Sequence, residues 1–411
     1  MKYIVLLGDG MADEPISGLG DKTPLEFAHT PNMDKMAEGG TTGLIDTVPA
    51  GFTPGSDVAN LSVLGYDPTR YHTGRAPLEA ASMGVDLADN DMAFRCNLVT
   101  LDSAGDGPVM DDFTSGHISS PEASLIIDSL NSELASPGIT FHSGVGYRHL
   151  MVYSGGPDAL ETTPPHDITG KPIAGWLPKG SGSGEIIDLM VRSRELLRDH
   201  PVNRARAAEG KKTADSIWLW GEGRAPRLQP MTAKYGIEGA MISAVDLLKG
   251  IGVYAGLEII PVDGATGYID TNYAGKAKKA LEYLAHGDFV FIHVEAPDEM
   301  GHEGNIKGKI KAIKDFDEKV VGTILSGVQA MGDFRIIVMS DHPTPIRLRT
   351  HSSDPSPFAM LSSVQKENVA AGGVFNEHSA KSSGIIASPG CLLMDYFMGD
   401  WRGFIEEKGR I

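Results

Sequence analysis

Carboxylate and imidazole side chains recur in four short segments that lie far apart in the 411-residue chain. Ligand sets of Asp and His without Cys suit Mn²⁺, Zn²⁺ or Mg²⁺. Six such side chains exceed the needs of one ion, so the pattern favours two metals, which together clamp the attacking and leaving oxygens of a phosphoryl transfer. The candidates are Asp9, Asp298, His302, Asp341, His342 and His351.

Each of these residues taken alone has an ordinary explanation. Asp9 after a strand suits a turn or a helix cap, and a single histidine is more often a plain polar side chain. The metal interpretation depends on their joint occurrence, because three of the four segments follow predicted strands. Ligands of open parallel sheets bind beyond the carboxyl ends of the strands, so we expect these segments to meet at one edge.

Ser56 is the candidate nucleophile. It follows the turn at Pro54-Gly55 and opens a predicted helix, 57–64. The free N–H groups and the positive dipole end of a helix N-terminus favour a phosphoryl oxygen, but serine is also a preferred N-cap. A hydroxyl that loses its proton beside a metal becomes a nucleophile, so the two roles are compatible.

Short apolar runs alternate with longer amphipathic stretches, which predicts an α/β fold with a mostly parallel sheet. We predict strands at 2–7, 42–48, 216–220, 240–243, 288–294, 334–340 and 358–361. We predict helices at 32–38, 57–64, 185–197, 244–249, 273–285, 306–328 and 392–398. Residues 96–179 are richer in strands and bordered by Gly, Pro and Ser, which indicates a small α+β domain inserted into a core made of 1–95 and 180–411.

The composition excludes several classes of protein. Lys+Arg number 36 and Asp+Glu 54, so the formal net charge is −18. A chain this negative repels phosphate backbones and anionic lipids, and it has no basic stripe, so we predict binding to neither nucleic acid nor membrane. Cys96 and Cys391 are too few for a disulfide framework, which favours the cytoplasm. The oligomeric state stays open.

Taken together, the motifs resemble the alkaline phosphatase superfamily and, within it, the archaeal-type cofactor-independent phosphoglycerate mutases. The resemblance runs nearly end to end and is weakest in the insertion. The motifs that carry it are Gly8-Asp9-Gly10, Pro54-Gly55-Ser56-Asp57, Ala296-Pro297-Asp298, Gly301-His302, Ser340-Asp341-His342 and His351, with Lys22-Thr23-Pro24-Leu25-Glu26, Leu64-Gly65-Tyr66-Asp67-Pro68, Thr73-Gly74-Arg75 and Phe94-Arg95-Cys96-Asn97.

The resemblance implies an alkaline-phosphatase-like core, with a mostly parallel sheet sandwiched by helices, and a smaller inserted α+β domain that serves as a lid. It implies that Asp9, Ser56, Asp341 and His342 surround one metal, and that Asp298, His302 and His351 hold the other. It further implies that Ser56 takes the phosphoryl group of 3-phosphoglycerate and returns it as 2-phosphoglycerate, in glycolysis and gluconeogenesis. No bisphosphoglycerate is needed. The expected cofactors are two divalent ions, manganese first, with magnesium, zinc and cobalt as alternatives.

An anionic, phosphorylated small molecule needs basic partners. The candidates are Arg75, Arg148 and Lys249, followed by His117 and His166 from the insertion. Asp111-Asp112 is acidic where basic residues are expected, which suits an ammonium-bearing substrate. Two alternatives therefore stay open: a phosphotransferase or kinase acting on homoserine or a similar small alcohol, and a metal-stabilised binding protein without turnover.

Overall fold

The computed structural model describes residues 1–102, 107–364 and 373–408. The strands are β1 (Lys2–Gly8), β2 (Thr41–Ile45), β3 (Asp91–Asp102), β4 (Val109–Asp112), β5 (Ile139–Val145), β6 (Arg148–Ser154), β7 (Leu160–Glu161), β8 (Lys179–Gly180), β9 (Ser216–Gly223), β10 (Gly239–Ile242), β11 (Glu258–Ile259), β12 (Phe289–Val294), β13 (Phe334–Met339), β14 (Ser356–Ser362) and β15 (Ile386–Ala387).

The α-helices are α1 (Pro24–Phe27), α2 (Pro31–Gly39), α3 (Ser56–Val63), α4 (Pro68–Tyr71), α5 (Ala76–Ser82), α6 (Ser120–Glu133), α7 (Ser183–Arg198), α8 (Pro201–Ala208), α9 (Met231–Tyr235), α10 (Asp246–Tyr254), α11 (Tyr273–Leu284), α12 (Ala296–His302), α13 (Ile306–Phe316), α14 (Gly322–Val328), α15 (Glu377–Ser382), α16 (Leu392–Met398) and α17 (Trp401–Lys408). A π-helical turn at Asp317–Val321 joins α13 to α14. Among the described residues, none of the helices is long and apolar enough to cross a membrane.

The chain forms two compact units, and the first consists of Met1–His72 with Arg227–Ile411. It contains an eight-stranded sheet in the order β11-β10-β12-β1-β13-β14-β2-β15. β14 is antiparallel to both of its neighbours, and the other strand pairs are parallel. The predicted α/β class with a mostly parallel sheet is confirmed.

The middle strands of this sheet are buried along nearly their whole length. β12 reads Phe-Val-Phe-Ile-His-Val, and all six residues are buried. Aromatic and β-branched residues suit a strand that is covered on both faces. Helix α11 packs against β12, and Ala277 of α11 joins Ile313 and Phe316 of α13 in the hydrophobic core around this strand. This packing holds the carboxyl ends of the strands in fixed positions.

The second unit, Thr73–Pro226, has its own antiparallel sheet. The strand order is β4-β3-β6-β5, and β9 also pairs with β3. Helices α6 and α7 cover this sheet and contribute Ile126, Leu130, Ile186 and Leu189 to a separate hydrophobic core. Strands and helices are thus combined as an α+β unit.

This unit contains more of the chain than the predicted insertion, 96–179. β3 already begins at Asp91, and β9 pairs with it between Ala93 and Val99. Because these hydrogen bonds tie β9 to the small sheet, and α7 shares its hydrophobic core, the chain from 180 to 226 belongs to the second unit. The predicted boundaries therefore differ from the observed ones at both ends.

Candidate metal centre and nucleophile

Three neighbouring parallel strands bring the predicted ligands to one edge of the large sheet. Asp9 follows β1, Asp341 and His342 follow β13, and α12, which begins just after β12, carries Asp298 and His302. His351 joins them from the loop after β13, where the Ser352 N–H donates to the Pro343 carbonyl at 3.0 Å. All six candidates therefore lie together beyond the carboxyl ends of the strands.

Ser56 lies beside two of these residues. Its Oγ–H donates to Asp9 Oδ2 at 3.3 Å, and Oγ lies 3.2 Å from His342 Nε2. Gly55, not Ser56, is the N-cap of α3, so the helix-cap explanation of Ser56 does not apply. His342 Nε2 lies 3.4 Å from Asp9 Oδ1 and 3.6 Å from Asp341 Oδ2, which makes a first group of four residues.

A second group surrounds Asp298. One carboxylate oxygen lies 3.2 Å from His302 Nε2, and the other lies 3.4 Å from His351 Nε2. The ring centres of His342 and His351 are 4.2 Å apart, so the two groups adjoin. Ligand atoms of Asp9, Asp341 and His342, and likewise those of Asp298, His342 and His351, all lie within 4.8 Å of one another.

The hydrogen bonds of the three imidazoles fix which ring nitrogen is free. His302 Nδ1 donates to the Arg349 carbonyl at 3.0 Å, and His351 Nδ1 donates to the Pro54 carbonyl at 3.3 Å. His342 Nδ1 lies 3.3 Å from Thr344 Oγ1, whose hydroxyl donates to Asp298. In the neutral form, each ring therefore presents a bare Nε2 to the site, as metal-ligating histidines do.

The charges of the site are poorly balanced by the protein itself. Burial and the neighbouring Asp341, Asp298 and Glu295 raise the pKa of Asp9 well above its ordinary value. Burial alone would raise the pKa of Asp298. Hydrogen bonds with His302 and His351 outweigh this effect, and the net pKa lies well below its ordinary value. The contact with Asp298 raises the pKa of His302 to about 9. A cation is thus stabilised beside Asp298.

These residues fit a pair of divalent ions. Asp9 Oδ1 is buried and has no hydrogen-bond partner, which is costly unless a cation faces it. The Nε2 atoms of His302 and His351 lie 2.9 Å apart, so two lone pairs would face each other without a cation between them. The donor set of carboxylates, imidazoles and one hydroxyl suits Mn²⁺, Zn²⁺ or Mg²⁺.

Two side chains outside the predicted set orient the predicted ligands. His293 Nε2 lies 2.8 Å from Asp9 Oδ2, and Asn60 Nδ2 donates to Asp341 Oδ2 at 2.8 Å. Sequence signals existed for both. His293 is the single polar residue of an apolar strand, and Asn60 follows Ser56 by one helical turn.

Three of the predicted substrate-binding residues lie near one another in the second unit. Burial, with the neighbouring charges of Arg75 and Arg148, lowers the pKa of Arg95. Burial, with the charges of Arg95 and Arg75, likewise lowers the pKa of His166. The Arg95 guanidinium, absent from the predicted set, pairs with Glu79 at 3.0 Å and lies 4.0 Å above the Trp220 ring.

The other two candidates have different surroundings. Lys249 lies on α10 of the first unit and pairs with Asp246 at 3.0 Å. Burial lowers the pKa of Lys276 to about 8, and the charge of Lys249 contributes to this decrease. His117 is exposed in a turn with φ of 51°, where its N–H donates to Thr114 Oγ1 at 3.0 Å. The described contacts do not join His117 to the Arg95 cluster.

The acidic pair that suggested an ammonium-bearing substrate already has a cation. Lys212 Nζ lies 2.9 Å from Asp111 and 3.3 Å from Asp112. Asp112 also accepts hydrogen bonds from the N–H and hydroxyl of Thr114. These carboxylates therefore already contact a positive charge within the second unit. They no longer favour a homoserine-like substrate over an anionic one.

The fold and the site define an α/β protein with a candidate two-metal centre and a serine beside it. A model of the family described as 2,3-bisphosphoglycerate-independent phosphoglycerate mutase matches residues 37–203. A Methanosarcina mazei protein of that name is 53% identical over 386 residues, covering 93% of this chain and 96% of its own. The chain belongs to the 2,3-bisphosphoglycerate-independent phosphoglycerate mutase family.

Solved structures agree with this assignment. A Pyrococcus horikoshii protein is 31% identical and matches with a TM-score of 0.80, covering 97% of both chains. The cofactor-independent phosphoglycerate mutase from Thermoplasma acidophilum is 27% identical, with a TM-score of 0.67, covering 97% of this chain and 99% of its own.

Proposed function

We propose that this protein interconverts 3-phosphoglycerate and 2-phosphoglycerate, a step of glycolysis and gluconeogenesis, through a phosphoserine at Ser56. The observation that carries the proposal is the position of the Ser56 hydroxyl, within 3.3 Å of both Asp9 and His342. A nucleophile in contact with two candidate ligands of the same ion is what metal-assisted phosphoryl transfer requires. Family membership supports the same reaction.

Two sets of side chains would hold the ions. One set is Asp9, Ser56, Asp341 and His342, and the other is Asp298, His302 and His351. When bound, divalent ions supply positive charge for the phosphoryl oxygens and lower the pKa of an attached hydroxyl. Manganese is the first candidate, and magnesium, zinc and cobalt are alternatives.

The residues of the chain define the steps. Ser56 Oγ attacks the phosphorus of 3-phosphoglycerate and releases its proton, for which Asp9 Oδ2 is the hydrogen-bonded acceptor. The bond from phosphorus to the 3-oxygen of glycerate breaks as the bond to Ser56 forms, and the 3-oxygen takes up the released proton to become a hydroxyl. Glycerate then turns, and its 2-hydroxyl loses its proton as it attacks the phosphoserine. The bond from phosphorus to Ser56 Oγ breaks, and Oγ takes up that proton to restore the Ser56 hydroxyl. No bisphosphoglycerate enters this sequence.

Basic residues would hold the anionic groups of glycerate. Arg75 and Arg148 lie close enough to Arg95 to act on it electrostatically, so the second unit brings three guanidinium groups together, of which Arg95 is paired with Glu79. The His166 ring contacts Trp220, the ring that Arg95 also faces. Guanidinium groups bind carboxylates through paired hydrogen bonds. Lys249 and His117 stay predictions of the same kind, as does the role of the second unit as a lid that excludes water.

A direct test compares substrates on one manganese-loaded sample. We expect 2-phosphoglycerate to form from 3-phosphoglycerate without added bisphosphoglycerate, and no phosphohomoserine to form from homoserine plus ATP. Ser56→Ala should lose activity by about three orders of magnitude or more, as nucleophile removal does. Ser62→Ala on the same helix, where the hydroxyl donates to the Thr47 carbonyl, should keep it. Phosphohomoserine without 2-phosphoglycerate would establish the kinase alternative instead.

A further inference from the structure

Asp9 is hydrogen-bonded to a buried row of polar groups that are not among the predicted metal ligands. His293, in the middle of the large sheet, is completely buried, and its Nε2 lies 2.8 Å from Asp9 Oδ2. Its Nδ1 lies 3.1 Å from Ser243 Oγ, which accepts a hydrogen bond from the Val245 N–H at 3.0 Å.

The directions of these hydrogen bonds follow from the donors available. The carboxylate of Asp9 has no hydrogen to donate, so His293 Nε2–H donates to Asp9 Oδ2. In a neutral imidazole, Nδ1 is then bare and accepts the hydrogen of the Ser243 hydroxyl. Ser243 therefore complements the tautomer in which His293 is a donor to Asp9.

A buried lysine holds the main chain of His293. Lys276 is completely buried, and its Nζ donates to the main-chain carbonyl of His293 at 2.8 Å. The imidazole therefore approaches Asp9 from a fixed main-chain position and gives Oδ2 a directional hydrogen bond.

We propose that His293 is a positioning residue, which anchors Oδ2 of Asp9 so that the unpartnered Oδ1 serves as the metal ligand. This inference rests on the metal site proposed above. Asp9 Oδ1 has no hydrogen-bond partner, whereas Oδ2 has two, from His293 and Ser56. Without the anchor, the carboxylate rotates and its ligand oxygen is no longer held in place. Groups that orient metal ligands in this way contribute about 10–100-fold to metal affinity.

Two amide variants separate positioning from a general structural role. His293→Gln places an amide N–H near the former Nε2 and can still reach Asp9, whereas the shorter His293→Asn places it near the former Nδ1. Both are buried amides of similar polarity. Manganese binding to the whole protein, followed by the electron paramagnetic resonance signal of free Mn²⁺, gives the number of ions bound and their affinities without an activity assay.

We expect wild type to bind two Mn²⁺ ions, His293→Asn to bind one of them about 10–100-fold more weakly, and His293→Gln to recover most of the loss. Ser243→Ala, which frees the tautomer, should weaken the same ion. His149→Leu is the matched control, because His149 is also a buried histidine but lies in the second unit.

Three results would overturn the inference. Wild-type affinity in His293→Asn would show that Oδ2 needs no anchor, and equal weakening in His293→Gln and His293→Asn would show that the donor to Asp9 is irrelevant. Failure of wild type to bind two ions would instead overturn the metal site, and the inference with it. The circular dichroism spectrum of each variant identifies any that do not fold. If a His293 variant does not fold, Ser243→Ala tests the inference in its place, and unchanged manganese affinity in Ser243→Ala would overturn it.

Discussion

The Nε2 atoms of His302 and His351 lie 2.9 Å apart, although each ring donates its Nδ1 hydrogen to a main-chain carbonyl. Two neutral imidazoles in these tautomers would repel each other through their lone pairs. The arrangement is stable only with a cation between or beside them, either a proton or a metal ion. The hydrogen bond with Asp298 raises the pKa of His302 to about 9, so we expect this ring to keep its proton near neutral pH when no metal is bound.

Metal binding at Asp298, His302 and His351 should therefore depend on pH. The ion needs neutral His302, but the protein without metal keeps it protonated below about pH 9 because of Asp298. Below this pH, each bound ion must displace a proton, so affinity should rise by about tenfold per pH unit and level off above pH 9. Titration calorimetry in buffers of different ionisation enthalpy measures the protons released.

The same reasoning predicts that activity is lost in acid, because His342 and His351 must also be neutral to act as ligands. Manganese affinity that stays constant between pH 6 and pH 9, with no proton release, would contradict the assignment of His302 as a ligand.

Lys309 should be essential to the stability of the loops that carry the site. Its buried ammonium lies 2.8 Å from Asp13 and also donates to the carbonyls of Ala12 and Thr344. Lys309→Met leaves the Asp13 carboxylate buried and unpaired, which should lower the free energy of unfolding by about 3–5 kcal/mol. Urea denaturation of the protein without metal measures this change.

The neighbouring pair of Arg347 and Glu14 provides the control. These side chains are exposed and solvent-screened, so Arg347→Ala should change the unfolding midpoint very little. Equally small changes in the free energy of unfolding in Lys309→Met and Arg347→Ala would contradict this role. The Lys309–Asp13 pair would then not stabilise the loops that follow β1 and β13.

Arg148 should contribute to the binding of phosphoglycerate. Loss of one charge-assisted hydrogen bond costs about 1.5–3 kcal/mol, so Arg148→Ala should raise KM for 3-phosphoglycerate by about tenfold or more. Arg192→Ala on α7, whose guanidinium forms an exposed pair with Asp188, should leave KM unchanged. Unchanged KM in both Arg148→Ala and Arg75→Ala would remove this cluster from the proposed substrate site.

Local chemistry made much of the site predictable from the sequence. Asp9 directly follows β1 and Asp341 lies two residues after the end of β13, and the parallel order of β1, β12 and β13 brings such positions to one edge. His293 was not predicted because it lies inside an apolar strand, where a polar residue has an identifiable partner only in the packed structure. Lys276 was not predicted because α11 also carries Lys278 and Lys279, which are exposed. The pairing of β9 with β3 was not predicted either, since no local pattern encodes a contact between strands more than 100 residues apart.

The proposed mechanism requires that Ser56 accepts the phosphoryl group. The most direct measurement is peptide mass spectrometry of manganese-loaded protein, quenched in acid during turnover of 3-phosphoglycerate. We expect one phosphoryl group on Ser56, its absence in Ser56→Ala, and 2-phosphoglycerate in the same wild-type sample. Formation of 2-phosphoglycerate while Ser56 stays unmodified under every quench time, or at an undiminished rate in Ser56→Ala, would contradict it.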